Sequence, residues 1–421
     1  MKAYFLSALC LLLTVGLLGC AIAPPVTPGT SATSPSAEAT PPSTIATTVP
    51  TIPTVPALPT VPPTTVPTTQ PVSQVALLLE SMTLREKVGQ LFIVSPEAVE
   101  TDASLKENGV TKISDSIRAH LKKYPVGGFI LFAQNIRNPQ QVSALNAGLR
   151  EASGIPPFIS VDEEGGRVAR LAKKPIFGLK VYSSAAAVGA NGDPHDALEM
   201  GDTIGAYLKK YGFNLDFAPV ADVFTNPKNT VIGNRAFSSD PVIAAQMVAA
   251  MAQGLRDQGI IATFKHFPGH GDTAEDSHSG IAVNHKTIEQ LLQCEWLPFM
   301  EATERDMIMV GHIAVPQITG DQTPATLSYT LVTEILKNQL GFDGLIVTDS
   351  LRMGAIHGVY QPGEAALLAL EAGCHVLLMP SSLSAAFDAV VAAVEAGSFP
   401  LEKLDSIVCK VLEFKLSHGI L

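Results

Sequence analysis

Short, mostly apolar runs recur eight times between residues 91 and 379, and longer segments of mixed character separate them. Because each run is only four or five residues long and rich in apolar positions, it predicts a strand that is buried on both faces. Strands of this kind that alternate with helices are typical of a parallel sheet covered by helices. The predicted strands are residues 91–94, 128–132, 158–161, 213–217, 260–264, 307–310, 345–348 and 376–379.

The segments between these strands contain residues that commonly begin helices. Thr83-Leu-Arg-Glu86 has the form of a capping box, and Asn138-Pro139, Asp240-Pro241 and Gln361-Pro362 each place proline in a first helical turn. Eight strand and helix repeats predict a single α/β domain, a closed (β/α)8 barrel of the TIM type. An open doubly wound sheet is the alternative, but no glycine-rich phosphate fingerprint follows the first strand.

Residues 1–19 have the composition of a secretory signal peptide. Lys2 precedes an apolar run at residues 3–18, which is shorter than the roughly 20 residues that a spanning helix needs. Leu17-Leu-Gly-Cys20 resembles a bacterial lipobox, and this resemblance implies cleavage before Cys20 and a lipid on that cysteine. We therefore expect a lipoprotein anchored to the cell membrane and exposed outside the cytoplasm. An ordinary signal peptide that contains a cysteine is the alternative.

Residues 20–75 differ in composition from the rest of the chain. They are rich in Pro, Thr and Ser, hold 14 of the 31 prolines and contain one charged residue, Glu38. Proline at this density blocks helix and sheet and favours extended polyproline II, which reaches on the order of 150 Å over 50 residues. We predict a disordered tether here, and a barrel domain at residues 76–421.

The charge balance excludes one class of partner. Asp and Glu number 39 against 28 Lys and Arg, and no basic run is present to neutralise phosphates, so we do not expect nucleic acid to bind. Cys294, Cys374 and Cys409 are too widely spaced for a disulfide framework or a zinc pattern, which predicts buried free thiols. Nothing in the sequence indicates a cofactor, and the oligomeric state is left open.

Polar residues follow many of the predicted strands. In a barrel, the carboxyl ends of the strands meet on one rim, where the active site lies. Asp349 on this rim has two interpretations from its position alone, a cap for the next helix or a catalytic group. The rim residues are Asp162 to Arg167, Asp222 with Asn234 and Arg235 farther along its loop, Lys265 with His266, His312, and Asp349 with Ser350.

The chemically densest stretch is residues 265–278, which hold three histidines and three carboxylates. Asp276 lies two residues before His278, and a carboxylate beside an imidazole can orient the ring and stabilise its protonated form. Gly269 and Gly271 predict that this loop moves. We interpret the loop as a proton-transferring element of the site.

Two other chemistries are open to this loop. His266, His270 and His278 with Asp272 and Asp276 have zinc-binding side chains. They lie on a Gly-Pro loop and not at i, i+4 positions of a helix, and no His-x-His follows the first strand, so we expect no metal. A serine nucleophile needs a Gly-x-Ser-x-Gly elbow, which neither Ser277 nor Ser350 has. The role of His312 stays open. We interpret four further histidines as structural or surface residues, namely His270, His285, His357 and His375.

Together these motifs resemble glycoside hydrolase family 3, in its exo-β-N-acetylglucosaminidase branch. The resemblance spans roughly residue 75 to the C-terminus, and the histidine loop is the part specific to the branch. The matching stretches are residues 82–92, 162–170, 217–222, 231–237, 265–273 with 276–278, and 347–351.

The resemblance implies roles for individual residues. Asp349 matches the nucleophile and His278 the acid/base, with Asp276 as its partner. Two positions depart from the family pattern, because Ser350 replaces a common second Asp and residues 132–135 replace a common Arg-Asn pair. The positions that match sugar-binding residues are Asp162, Arg170, Arg235, Lys265 and His266.

From the resemblance we expect a retaining exo-glycosidase that removes terminal non-reducing β-linked N-acetylglucosamine, from peptidoglycan fragments. A neutral imidazole does not repel an anion, so a phosphorylase that uses phosphate in place of water is an alternative. A β-glucosidase or β-xylosidase of the same family is another. An inactive lipoprotein that binds wall glycans is the alternative of a different class.

Overall fold

Ten β-strands occur in the computed structural model, which describes residues 73–274 and 280–421. Eight of them fall at or near the predicted positions, and β6 and β8 are additional two-residue strands that pair with each other. The strands are β1 Phe92–Val94, β2 Gly128–Leu131, β3 Phe158–Val161, β4 Leu215–Asp216, β5 Thr263–Phe267, β6 Ala282–Val283, β7 Met307–Val310, β8 Ile313–Ala314, β9 Leu345–Thr348 and β10 Leu377–Leu378.

All the strand pairs are parallel. One sheet has the order β10-β1-β2-β3-β4 and a second has the order β5-β7-β9. Isolated parallel bridges from Leu215 to Ile261 and from Val220 to Lys265 connect β4 to β5, and a bridge from Val347 to Val376 connects β9 to β10. The parallel α/β architecture is therefore confirmed, and the carboxyl ends of the eight strands lie on one side.

Helices connect the strands along the whole described region. The α-helices are α1 Gln74–Ser81, α2 Leu84–Gly89, α3 Ala103–Asn108, α4 Asp115–Lys123, α5 Pro139–Ala152, α6 Ala185–Val188, α7 Pro194–Lys210, α8 Pro241–Asp257, α9 Ile288–Leu292, α10 Pro316–Thr319, α11 Gly354–His357, α12 Pro362–Ala372, α13 Leu383–Glu395 and α14 Leu401–Ser417. A π-helix covers Thr330–Gln339. Short 3-10 helices cover Pro96–Ala98, Ala133–Asn135, Pro175–Phe177, Gly189–Asn191, Gly233–Arg235, Phe299–Glu301 and Ala325–Leu327. No helix among the described residues is long and apolar enough to cross a membrane.

The predicted helix starts at residues 83, 138, 240 and 361 are confirmed. The Thr83 backbone N–H donates to Glu86 Oε2 at 2.8 Å, and Glu86 N–H donates to Thr83 Oγ1 at 3.3 Å, which completes a capping box. Asn138 and Asp240 likewise accept backbone N–H bonds from the first turns of α5 and α8. These caps satisfy amide groups that the helix cannot pair internally.

Both faces of the strands are buried. In β1, Phe92 and Val94 belong to the large core between the strands and the helices, whereas Ile93 belongs to a smaller core on the opposite face. The same alternation appears in β2, where Phe129 faces the first core and Ile130 the second. This is why the strand sequences are mostly apolar runs instead of alternating patterns.

Strand β5 begins three residues later than predicted. Lys265 and His266 therefore lie within the strand and not after it. The prediction ended the strand at residue 264 because the two residues that follow have polar side chains. Pairing with β7 extends to Phe267 opposite Val310 across a register shift. The carboxylates of the partly buried Asp162 and the buried Glu164 neutralise the Lys265 ammonium.

The cysteine prediction holds in part. Cys294, Cys374 and Cys409 are free, but only Cys374 is buried, while the other two are partly exposed. The predicted signal peptide, Cys20 and the linker up to residue 72 lie outside the described residues.

A buried lysine connects three chain segments at the amino ends of the first strands. Lys415 Nζ donates to Gln90 Oε1 at 2.7 Å and to the carbonyl oxygens of Gly127 and Pro156, each at 2.9 Å. These acceptors precede β1, β2 and β3. Because an ammonium has three protons and finds three acceptors here, the side chain is satisfied although it is fully buried.

We expect Lys415→Met to lower the free energy of unfolding by about 2–4 kcal/mol, since three buried acceptors lose their donor. Urea denaturation of the full chain measures this change. Lys122→Met, on the exposed side of α4, is the matched control and is expected to have little effect. Equal losses in the two variants would contradict the role given to Lys415.

Candidate active site

A cavity of about 350 Å³ opens at the carboxyl ends of the strands. It brings together all five residues predicted to bind substrate, together with Asp349. Its charged and polar lining is Asp162, Glu164, Arg170, Arg235, Lys265, His266, His270, Asp349 and Ser350, and its apolar lining includes Phe132 and Met379. Part of the predicted polar rim thus forms one concave site, whereas the rim residues Asp222, Asn234 and His312 do not line the cavity.

Lys265 lies at the centre of a buried charge network. Its Nζ is 3.0 Å from Asp162 Oδ1 and 2.6 Å from Glu164 Oε1. Burial alone would lower the pKa of Lys265, but the two carboxylates raise it above its ordinary value. Lys265 is therefore a fixed cation beneath the cavity.

Glu164 holds Arg235 in a two-point contact. Arg235 Nε donates to Glu164 Oε2 at 2.8 Å, and Arg235 Nη2 donates to Glu164 Oε1 at 2.7 Å. Burial would raise the pKa of Glu164, but Arg235 and Lys265 hold it well below its usual range. A bidentate pair of this kind fixes the guanidinium plane as well as its charge. Glu164 was placed on the rim from sequence, but no role or partner was predicted for it.

Arg170 and Phe132 form the side of the cavity next to Asp162. Arg170 Nη2 lies 3.3 Å from Asp162 Oδ2, and its guanidinium lies over the Phe132 ring, 5.7 Å from the ring centroid. Asn135 is buried and anchors this segment, because its Oδ1 accepts from Phe132 N–H at 2.9 Å and its Nδ2 donates to Val110 O at 3.0 Å. The segment that departs from the family pattern is therefore part of the cavity wall.

Asp222 orients His266. The His266 Nδ1 lies 2.7 Å from Asp222 Oδ2, and Asp222 Oδ1 accepts the backbone N–H groups of His266 at 3.3 Å and of His270 at 2.6 Å. Since Nδ1 donates to the carboxylate, Nε2 of His266 faces the cavity near Arg235. Asp222 was placed on the rim from sequence, but its partner was not predicted.

Asp349 follows β9 and lines the cavity. Its Oδ1 accepts the Ser350 backbone N–H at 2.6 Å, and its own N–H donates to Val310 O at 2.9 Å. Burial would raise the pKa of Asp349, but His312, His266, the Ser350 N–H and Lys265 hold it below its ordinary value. The carboxylate is therefore ionised at neutral pH.

His312 supports the Asp349 loop from behind. It is fully buried, and its Nε2 donates to the Ser350 carbonyl oxygen at 2.9 Å while Nδ1 lies 2.8 Å from Thr326 Oγ1. The prediction left the role of this histidine open, and its contacts identify it as a residue that positions the loop.

The first part of the histidine loop is anchored to the loop after β4. Asn229 Nδ2 donates to His270 O at 2.7 Å, and Thr225 Oγ1 donates to Asp272 Oδ1 at 2.8 Å. His270, interpreted from the sequence as a structural or surface residue, is buried and lines the cavity. Asp276 and His278 lie outside the described residues. Within the described ranges, no cluster of three His, Cys, Asp or Glu residues is arranged to hold a metal ion.

The two glycines of this loop serve close packing. Gly269 has φ of 118°, and a Cβ there would collide with the Glu295 side chain. A Cβ on Gly271 would overlap the Val223 carbonyl oxygen. Close packing therefore explains why glycine occupies both positions, and the loop movement that the sequence suggested is not needed to explain them.

A larger cavity of about 790 Å³ adjoins the first, and the two share Phe132 and Met379. It is lined by the loops after β1 and β10 and by Arg352 from the Asp349 loop. Among the described residues, Arg352 and Lys106 are exposed cations on its wall for which no ion pair is found. The rim therefore has a small charged pocket and a more open neighbour.

An ionised aspartate above fixed cations and hydrogen-bonding groups, in a pocket of one-ring size on a parallel α/β frame, is typical of enzymes that process carbohydrates. The family model described as the glycosyl hydrolase family 3 N-terminal domain matches residues 83–414, and the chain belongs to this family.

Named relatives lie within the hexosaminidase branch. The chain is 32% identical over 333 residues to β-hexosaminidase A of Pseudoalteromonas piscicida, covering 73% of this chain and 56% of that protein, just over half its length. It is also 32% identical over 367 residues to β-hexosaminidase LpqI of Mycobacterium tuberculosis, covering 84% and 88%. A solved structure of a family 3 β-N-acetylglucosaminidase from Paenibacillus sp. FPU-7 superposes with a TM-score of 0.74 at 37% identity, covering 81% of this chain and 63% of that one.

We expect Lys265→Met to lower the free energy of unfolding by about 3–5 kcal/mol, because Asp162 and Glu164 lose the buried cation that they share and keep only Arg170 and Arg235 as partners. Urea denaturation provides the measurement. Lys180→Met is the matched control, since Lys180 pairs with Glu199 at the same 2.6 Å distance but on the exposed surface. A control variant that loses as much stability as Lys265→Met would contradict this account.

Proposed function

We propose that this protein is a retaining exo-β-N-acetylglucosaminidase. The observation that carries the proposal is the ionised Asp349 carboxylate in a 350 Å³ pocket whose other polar groups are already held in place by ion pairs. Similarity to β-hexosaminidases over most of the described chain supports the choice of sugar. We also infer that the eight strands close into a single (β/α)8 barrel, and the bridges at both sheet ends support this.

The terminal sugar occupies the pocket. Asp162 and Arg170 on one side and His266 on the other present hydrogen-bonding groups to ring hydroxyls. Lys265 and Arg235 are held by Glu164, so they present their remaining donors in fixed directions. Charges fixed in advance do not need to reorganise when the sugar binds or when charge develops during the reaction.

The chemistry has two steps. Asp349 attacks the anomeric carbon and forms a glycosyl-enzyme while protonated His278 donates its proton to the leaving oxygen. Neutral His278 then accepts a proton from water, which attacks the anomeric carbon and releases Asp349. Asp276 orients His278 through both steps. The assignments of Asp276 and His278 rest on the sequence motif.

The larger cavity next to the pocket accommodates the leaving group. It adjoins the pocket that contains Asp349 and is lined by the loops after β1 and β10, which supports it as the place where the remainder of a glycan would emerge. Its unpaired wall cations, Lys106 and Arg352, suit an aglycone that carries a carboxylate, as peptidoglycan fragments do. We infer such fragments as the substrate.

The N-terminal segment bears on where in the cell the enzyme works. We propose that Cys20 carries lipid after cleavage of residues 1–19, and that residues 20–75 hold the enzyme out from the membrane. A Cys20→Ala variant should then leave the membrane fraction and lose label from a radioactive fatty acid. Retention of both would overturn the anchor and leave the glycosidase assignment untouched.

The sugar specificity is tested by comparing kcat/KM of the full chain on aryl β-N-acetylglucosaminide, β-glucoside and β-xyloside. We expect N-acetylglucosaminide to be the preferred substrate, and Asp349→Asn to lower kcat by at least about 10³-fold because the covalent route is lost. Full activity in Asp349→Asn would remove the proposed nucleophile. Binding without turnover in the wild type would indicate a glycan-binding protein instead, and a sugar phosphate formed in phosphate buffer would indicate a phosphorylase.

His278 is tested by varying the leaving group. We expect His278→Ala to lower kcat/KM strongly for an alkyl N-acetylglucosaminide and much less for an activated aryl one, because only the poor leaving group needs a proton in the first step. His285→Ala is the control outside the assigned site. If the loss in His278→Ala were the same for both substrates, its role as the acid would be wrong.

A further inference from the structure

A third large cavity, of about 730 Å³, lies at the amino ends of β9 and β10, opposite the end that carries Asp349. The proposed glycosidase does not use it. Three lysines line it, Lys337 from the π-helix and Lys403 and Lys410 from α14, together with the buried His375. Its acidic lining residues are Asp343 and Glu371.

The hydrogen bonds of His375 define its tautomer. The backbone N–H of Ile346 donates to His375 Nδ1 at 2.9 Å, so Nδ1 carries no proton. The ring is buried, and burial, the largest influence, together with the charge of Lys410 holds its pKa well below the ordinary value. His375 is therefore a neutral imidazole whose single proton is on Nε2.

That proton points at an amine. His375 Nε2 lies 3.0 Å from Lys337 Nζ. An ammonium group is only a hydrogen-bond donor, so it cannot accept a bond from Nε2–H. A neutral amine has a lone pair and can accept this bond. The short contact is thus a hydrogen bond only if Lys337 is neutral.

Burial also favours the neutral form. It is the largest influence on Lys337 and holds the pKa below its ordinary value; among the neighbours Cys374 and Asp343 raise the pKa, and Lys403 and Lys410 lower it. Asp343 is engaged by Lys410 at 2.6 Å. Lys337 remains partly exposed to the cavity, so its lone pair is accessible from solvent.

We propose that Lys337 is a neutral, nucleophilic amine that reacts with carbon dioxide to form a lysine carbamate. The Nζ lone pair forms a bond to the carbon of CO₂, one C=O electron pair moves to oxygen, and the nitrogen releases one proton to water. No oxidant or reductant is needed. The product is an anion in place of a neutral group.

The positive charges around the cavity favour the anionic carbamate and disfavour the ammonium form of Lys337. Lys403 and Lys410 repel a positive charge at position 337 and attract a negative one. The carbamate oxygens are also acceptors for His375 Nε2–H, which keeps its donor role. The modification would link the π-helix to α14 through charge pairs that the unmodified chain lacks.

The test uses the full chain in buffer with ¹³C-labelled bicarbonate and ¹³C NMR. We expect a carbamate resonance in the wild type that disappears in Lys337→Arg and persists in the surface control Lys122→Arg. A bicarbonate-dependent rise in melting temperature, against chloride at equal pH and ionic strength, should also depend on Lys337.

A second measurement protects the test against a variant that folds poorly. Reductive methylation with ¹³C-formaldehyde reports the titration of each lysine, and the resonance of Lys337, distinguished from that of the buried Lys415 by its persistence in Lys415→Met, should titrate clearly below those of the surface lysines. A carbamate signal that persists in Lys337→Arg, no carbamate in the wild type, or titration of Lys337 with the surface lysines would each overturn the proposal.

Discussion

The site depends on keeping one lysine charged inside the protein. Lys265 is 2% exposed, and a buried ammonium is stable only with partners close by. Asp162 and Glu164 supply them, and Glu164 at the same time holds Arg235 in a two-point contact. Each member of this network therefore has its direction set by another member before any ligand arrives.

The network also determines the state of Asp349. A carboxylate in a closed pocket would ordinarily gain a proton, since burial disfavours the charged form. Here His312, His266, the Ser350 N–H and Lys265 outweigh burial and keep the pKa of Asp349 low. Two residues that would hold the sugar, His266 and Lys265, thus also help to keep the proposed nucleophile ionised, which links binding and reactivity.

The two ends of the parallel strands have opposite chemical character. At the carboxyl ends, carboxylates gather around fixed cations in the cavity that contains Asp349. At the amino ends, Lys415 donates to the segments before three strands, and Lys337 lies in a lysine-rich cavity. A single set of strands therefore supports a site for glycoside chemistry on one side and a basic, structurally important side on the other.

The sequence by itself determined the eight strand positions, the four helix starts and the collection of polar residues on one rim, because these follow from local periodicity, from capping chemistry and from the side-chain types after each strand. It also placed Asp349 and the five proposed sugar-binding residues in one site. Only the tertiary structure decided which side chains pair with one another in the site. Glu164 and Arg235 are 71 residues apart, and His266 and Asp222 are 44 apart, so no local pattern relates them. The burial of Lys265 inside β5 was missed for the same reason, since its neutralising carboxylate Asp162 is 103 residues away.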